Sequence, residues 1–519
     1  MAGEPTPRSL PIYVLEPPRT DIGLARQLFQ RIARVDSAEV ASDDERRVRL
    51  TSDGLALELE KRSDYLYLER KADLWNPRKR PKLPDGKAVR AAADDIVKTL
   101  TPYLYGDRAT HSRGAQPRQS LQFQRITYTR TTSRQEPAGW GLDAQAIYNW
   151  NIEVPRPKGG MYRLPVTGGG GKLRAAFGEG TSLVGLSGGW RNIAGTQDER
   201  PVISREQAET KFRRLLPKRR VACVRSQLAY YAAPAFRDQR LLVPVWLVDG
   251  EVTRERQRCK IRTQIIPATD IGALCQPRAP KRVAQALRRA AAPARPFTCG
   301  AEWFGEPGDS FEANKNGFLD GCRALGGTVK FDRDSGSARE RDFRAQDHQF
   351  ADAVNLMFFT GHANADGWEM RPPKQYRLSW NPLDNKPPKL GDEELRWLVI
   401  GACGPLQNTP TNAVDRWARV FNGLHGMLGY GSESFSEVDE GQRFMEHLGD
   451  GMGVVDAWLR TAVEVQPAKG TGGNGAGVTA VALYAHGGDH CTSKEVFNAA
   501  APCAFDVNTQ QVDQISTDI

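Results

Sequence analysis

Apolar residues recur at helical spacing through 21–35, where Leu24, Leu28, Phe29 and Ile32 fall on one face, and this period predicts an amphipathic helix. From 46 to 75 the pattern changes to alternation broken by a Ser52-Asp53-Gly54 turn, which predicts strands. Helical spacing returns over 88–104, so residues 1–105 read as an N-terminal α+β subdomain. A Ser/Arg/Gly/Gln-rich stretch at 106–119 reads as a linker. Alternating segments at 120–130, 146–156 and 161–191 predict strands joined by glycine turns. Ser204 with Gln207 three positions later forms a capping-box pattern, which satisfies two orphan amides and starts a helix. A hairpin follows in 227–251, and 120–276 reads as a second α+β domain. The Pro/Arg/Ala-rich stretch 277–296, with Lys281, Arg282, Arg288 and Arg289, predicts a basic linker or tether.

Beyond it, 297–519 has a different texture. The run Val354 to Phe359 is continuously apolar and ends in Gly361-His362; Trp397 to Ile400 repeats the construction and ends in Gly401-Ala402-Cys403. A third run, Gly426 to Gly429, leads into a polar loop. Strands buried on both faces read as continuous rather than alternating runs, the signature of a parallel sheet. Open α/β sheets place their chemistry beyond the carboxyl ends of such strands, so two adjacent runs would bring His362 and Cys403 to one crevice. Taken alone, Cys403 reads as a buried structural thiol and His362 as a packed histidine; together they read as a nucleophile and its acid/base.

An apolar block ending in His with a small residue, followed a few dozen residues later by one ending in a small residue with Cys, resembles the caspase-like (clan CD) cysteine peptidases, in an uncharacterised bacterial branch. The resemblance spans about 296–519. It implies an α/β fold with a mainly parallel sheet flanked by helices, Cys403 as nucleophile, His362 as acid/base, and the backbone amides of Ala363 and Cys403 as oxyanion donors. The usual His-Gly is His362-Ala363 here, which places a Cβ where the family has none. Gly401 stands where metacaspases carry an acid and caspases a glutamine, so neither substrate preference transfers. Glu433, Glu437, Asp439 and Glu440 in the polar loop could favour basic substrates, with a solvated acidic loop as the plainer expectation. The order of strands, glycine turns, helix and hairpin over 120–255 resembles propeptide regions of thermolysin-type proteases and PepSY inhibitory modules, an unrelated sheet-and-helix unit being the alternative.

Charge adds a division. Residues 301–519 hold 19 Lys+Arg against 31 Asp+Glu, while the rest of the chain holds 53 against 31, a net of −12 facing +22. Either the two surfaces are solvated independently or the basic half docks on the acidic one. Nucleic acid is disfavoured as a partner because the halves oppose each other; a peptide or protein substrate is expected. No run approaches the roughly 20 apolar residues of a membrane span, and no signal is visible at the N-terminus, so a cytoplasmic location is the default, with secretion left open. None of the eight cysteines forms a CxxC pair, and Cys259 with Cys275 or Cys491 with Cys503 are pairings open in an oxidising compartment. His425 reads as packed, and His486, His490 and Cys491 lack a fourth metal ligand. No metal or cofactor is expected, and 449–460 is too irregular for a calcium loop. The sequence thus predicts a cysteine endopeptidase restrained by its N-terminal region, the alternative being an inactive caspase-like binding scaffold.

Overall fold

The structure, a computed structural model, describes residues 6–105, 118–156, 159–189, 191–215, 221–254, 257–271, 296–305, 310–370, 387–468, 477–497 and 511–519. It is a mixed α/β fold dominated by sheet. In the C-terminal part five strands run parallel in the spatial order Thr328–Arg333, Thr298–Phe304, Leu356–Gly361, Trp397–Gly401 and Gly426–Tyr430. Antiparallel strands Thr479–Ala485 and Val512–Asp518 extend it.

Why the two apolar runs do not alternate is visible in the packing. Leu356, Phe358 and Val399 join a core cluster with Phe318, Phe444 and Trp458 from the helices Ser310–Ala324, Glu440–Gly449 and Val454–Val465. Met357, Phe359, Leu398 and Ile400 point the other way, into a cluster with Phe343, Trp368 and Trp417. Both faces of the sheet are therefore covered, and every position in these strands is under pressure to be apolar.

The sheet continues past the expected domain boundaries. Val512–Asp518 pairs antiparallel with Arg118–Ser133, which pairs with Trp140–Pro155. From there the ladder runs through Lys172–Phe177, Leu183–Gly188, Leu66–Arg70, Leu55–Glu60 and Arg47–Ser52. A buried polar cluster ties the junction: Gln145 donates to Thr517 Oγ1 at 3.0 Å and Arg174 Nε to Gln145 Oε1 at 2.6 Å.

The N-terminal elements follow their local signals. The helix Ile22–Ala33 is capped by Asp21, whose carboxylate accepts from the Leu24 amide. The Ser52↔Leu55 hairpin turns through Asp53 and Gly54 with φ of 49° and 73°, the left-handed pair that a two-residue turn of this hand requires. The helix Gly86–Tyr105 and the hairpin of Val221–Tyr231 with Leu241–Arg254 also form. The Ser204/Gln207 capping box is made, on the helix Arg205–Arg214 that buries Ala208 and Phe212 against Trp246 and Val248. Ser204→Ala is expected to destabilise the protein by about 1 kcal/mol, read as a lowered urea midpoint; no change would mean that packing of Phe212 alone holds this helix. The two expected linkers fall almost wholly outside the described residues. Among the described residues no helix is long and apolar enough to cross a membrane.

Ion pairs cross between the two halves in both senses. Arg46–Glu446, Arg47–Asp450, Arg237–Asp439 and Arg262–Glu440 put basic residues of the first half on acids of the second. Arg460–Glu58 and Arg443–Glu60 do the reverse. Four of these six pairs follow the charge division read from the sequence, and two run against it.

Candidate active site

Strand register brings the two candidate residues to one edge. Phe359 pairs with Ile400 and Thr360 with Gly401 in adjacent parallel strands, so His362 and Cys403 each lie two residues beyond the last pair. Both are buried, at 1% and 2% exposure. His362 leads into a short hairpin in which Ala363 pairs with Trp368 and Asn364 with Gly367, and the His362 carbonyl accepts from the Glu369 amide at 2.9 Å. Trp368 anchors that hairpin by stacking on Trp417 with ring centroids 5.6 Å apart. The imidazole meets Phe311 edge to face at 5.1 Å.

Ala363 sits in this hairpin with ordinary backbone; among the described residues the non-glycine positions with positive φ are Arg34, Asp53, Asp64, Trp75 and Thr181. Its backbone is thus one that any L-residue adopts and does not require glycine. Ala363→Gly is expected to leave reaction with a peptide electrophile unchanged or faster; a large fall would mean that the methyl itself is used.

Gly404, at φ 63°, is needed for the turn that follows Cys403, since the left-handed region favours glycine. The Ser434 amide donates to Cys403 Sγ at 3.4 Å. Burial pushes the thiol up to about 11, against the opposing pull of the Arg262 guanidinium and the Ser434 amide, while Glu433 adds to the rise. In this closed arrangement Cys403 is a protonated thiol at neutral pH.

The acidic loop departs from the sequence expectation of a solvated surface. Glu437, Asp439 and Glu440 are buried, and only Glu433 stays partly exposed. Glu437 accepts from the Tyr231 hydroxyl at 3.4 Å, and burial, with Asp439 and Glu440 nearby, drives its carboxyl well above the usual range. Asp439 pairs with Arg237. Glu440 points at the candidate site: Tyr430 Oη and Gln466 Nε2 both donate to Oε1 at 2.6 Å, and Asn314 donates to Oε2 at 2.9 Å. Gly401 matters for space rather than for backbone freedom, because a Cβ there would lie 3.3 Å from Glu440 Oε2. Glu440, the first residue of the helix Glu440–Gly449, thus brings a carboxylate against Gly401.

Arg262, which no local pattern in the sequence marks, fills the remaining space. It is fully buried and donates from Nη1 to the Gly401 carbonyl at 3.1 Å and from Nη2 to Glu440 Oε1 at 2.7 Å. The Gly401 carbonyl also accepts from Thr360 Oγ1 at 3.1 Å.

The remaining candidates resolve simply. His425 is buried with Nδ1 2.8 Å from Glu495. His486 Nδ1 lies 2.8 Å from Asp513. Cys491 is disulfide-bonded and so offers no thiolate to a metal, while the side chain of His490, and Cys503, lie outside the described residues. The side chain of Cys259, and Cys275, likewise lie outside the described residues, and Cys299, Cys322 and Cys403 are free. Among the described residues no group of three or more potential metal ligands occurs. Residues 454–465 form a helix whose Asp456 pairs with Lys494.

Compared with known proteins, residues 308–507 match the model of a domain of unknown function, DUF6345, a span that includes His362, Cys403 and the loop carrying Glu440. No curated protein matches the chain. The chain is also similar to an uncharacterized protein from Eubacterium rectale ATCC 33656 of known crystal structure, at 10% identity over 51% of this chain and 85% of that one, with a TM-score of 0.28.

Proposed function

We propose that the chain is a caspase-like cysteine peptidase in a closed state, with Cys403 as nucleophile and His362 as acid/base. The observation that carries this reading is the register of the two strands, which sets both residues two positions past one paired step, Thr360 with Gly401. In the reaction His362 takes the Cys403 proton, the thiolate bonds to the scissile carbonyl carbon, and His362 gives that proton to the amine as the C–N bond breaks. Water then hydrolyses the thioester and restores the thiol. The amides of Ala363 and Cys403 are the donors assigned to the oxyanion.

The restraint expected from the N-terminal region enters here as part of the proposal, since Arg262, which meets the end of the Cys403 strand at the Gly401 carbonyl, comes from 257–267. A second reading, an inactive scaffold that binds peptides, is favoured by one observation: the thiol is buried and held near 11. The two readings separate with an electrophilic peptide probe applied to the full chain, Cys403→Ala and His362→Ala. The peptidase requires labelling that disappears in Cys403→Ala and slows by about a hundredfold or more in His362→Ala. Equal labelling of all three proteins rejects it.

A further inference from the structure

A strand of the same chain, Gln257–Pro267, reaches the end of the Cys403 strand through Arg262. Thr263, in the strand Gln257–Pro267, donates its amide to the Ser434 carbonyl at 3.1 Å and accepts from the Ser436 amide at 3.0 Å, forming an isolated parallel bridge with Phe435. The same strand also packs against Ala363–Asn364. An extended segment therefore touches both the His362 hairpin and the loop that carries Ser434. The residue before the bridge, Arg262, sends its side chain down beside the end of the Cys403 strand.

The cavity it enters is built for a guanidinium. A carboxylate, Glu440, is fully buried and oriented by three donors: Tyr430, Gln466 and Asn314. The Gly401 carbonyl supplies a second acceptor, and the Tyr430 ring centroid lies 6.0 Å from the Arg262 Cζ. Arg262 Nε has no hydrogen-bond partner. Fixed donors hold Glu440 in place whatever cation it faces, so the pocket is organised by the C-terminal part and merely filled by Arg262. A planar fork of donors suits this pair of acceptors, and a lysine ammonium would satisfy them less well.

Resting on the peptidase reading above, we propose that this cavity is the pocket for an arginine side chain of the peptide substrate, and that Arg262 occupies it in the closed chain as a built-in competitor. The extended backbone at 262–264, bridged to Ser434–Ser436, then holds the place of the substrate's own backbone. Turnover requires this segment to withdraw, and the apparent affinity for substrate is lowered by the fraction of chains in which the pocket is filled.

The test uses full-length wild-type protein, Arg262→Ala and Arg262→Gln, with agmatine as the guanidinium probe, 1,4-diaminobutane as its ammonium control, and fluorogenic peptides ending in Arg or Leu. Arg262→Ala is expected to bind agmatine in preference to diaminobutane, seen as calorimetric heat and a raised melting temperature, while wild type binds neither. The same variant should cleave the Arg peptide about tenfold or more faster than wild type. Arg262→Gln, which keeps the volume but loses the charge, should fall between them.

Agmatine binding without hydrolysis in any variant would leave the arginine pocket standing and sink the peptidase reading. Hydrolysis that rises equally for Arg and Leu peptides, with no agmatine binding, would keep the peptidase and overturn the pocket. A folded Arg262→Ala that neither binds agmatine nor gains activity overturns the proposal. Failure of both variants to fold overturns it too, because a segment that must withdraw cannot be indispensable to the fold.

Discussion

Replacing Arg443 with methionine is expected to cost the fold about 3–5 kcal/mol, the range for removing one partner from a buried ion pair. Arg443 is fully buried and donates to three carboxylates: Glu464 at 2.6 Å, Glu446 at 2.8 Å and Glu60 at 3.0 Å. Methionine keeps the stem but leaves three buried acids facing one another without their shared cation. The control is Arg34→Met, which breaks a pair whose side chains are 83% and 61% exposed and is expected to cost no more than about 1 kcal/mol. Urea unfolding near neutral pH measures both. A loss below about 1 kcal/mol for Arg443→Met would mean that the site rehydrates freely and that the network is not a clamp. A double-mutant cycle with Glu60→Gln tests whether the coupling spans the two halves, since Glu60 lies on the strand Leu55–Glu60 and Arg443 on the helix Glu440–Gly449. That helix begins with Glu440, the acid of the candidate pocket, so the clamp also fixes the pocket's position.

The strands that deliver His362 and Cys403 were legible because burial on both faces leaves a trace in every residue of a run. The Ser204 cap and the Ser52-Asp53-Gly54 turn were legible for a local reason: their hydrogen bonds or dihedrals involve residues within four positions. Charge was read less well. A run containing Glu437, Asp439 and Glu440 carries no sign of whether water or arginine will meet it, and the partners Arg237 and Arg262 lie roughly 200 residues away in sequence. Arg262 was illegible for the same reason. It sits in an alternating strand like any other basic residue, and only the fold puts it against Gly401. The expected separation into domains rested on local periodicity and linker composition, whereas strand pairing is made by backbone groups and leaves neither mark at Val512–Asp518 meeting Arg118–Ser133.

Acidification from neutral pH is expected to loosen the same clamp, beginning at His447. Burial, the largest influence, holds this imidazole down to about 4 from its ordinary 6.5; Arg443 and Arg460 push the same way, and Glu464, 3.1 Å from Nε2, opposes them. The folded protein therefore binds fewer protons than the unfolded chain between those values. Its stability is fully present above 6.5 and is lost as pH falls towards 4, by about 3 kcal/mol for a gap of this size. Glu446 continues the trend lower down: burial alone would raise its carboxyl, but Arg46 and Arg443 hold it at about 2, so its contribution disappears as pH falls below the ordinary 4.5. Glu437 runs the other way. Burial raises it well above the usual range, so the folded state takes up a proton there and gains stability as pH falls. His447→Gln separates these terms, because it removes the imidazole's titration and leaves the carboxylates. The difference between the wild-type and His447→Gln unfolding free energies, measured by urea at several pH values, should shrink between pH 6.5 and 4 as the wild type loses its advantage. A difference that stays constant across that window would mean that His447 titrates alike in the folded and unfolded chains, and that it is not held neutral by its burial among Arg443, Arg460 and Glu464.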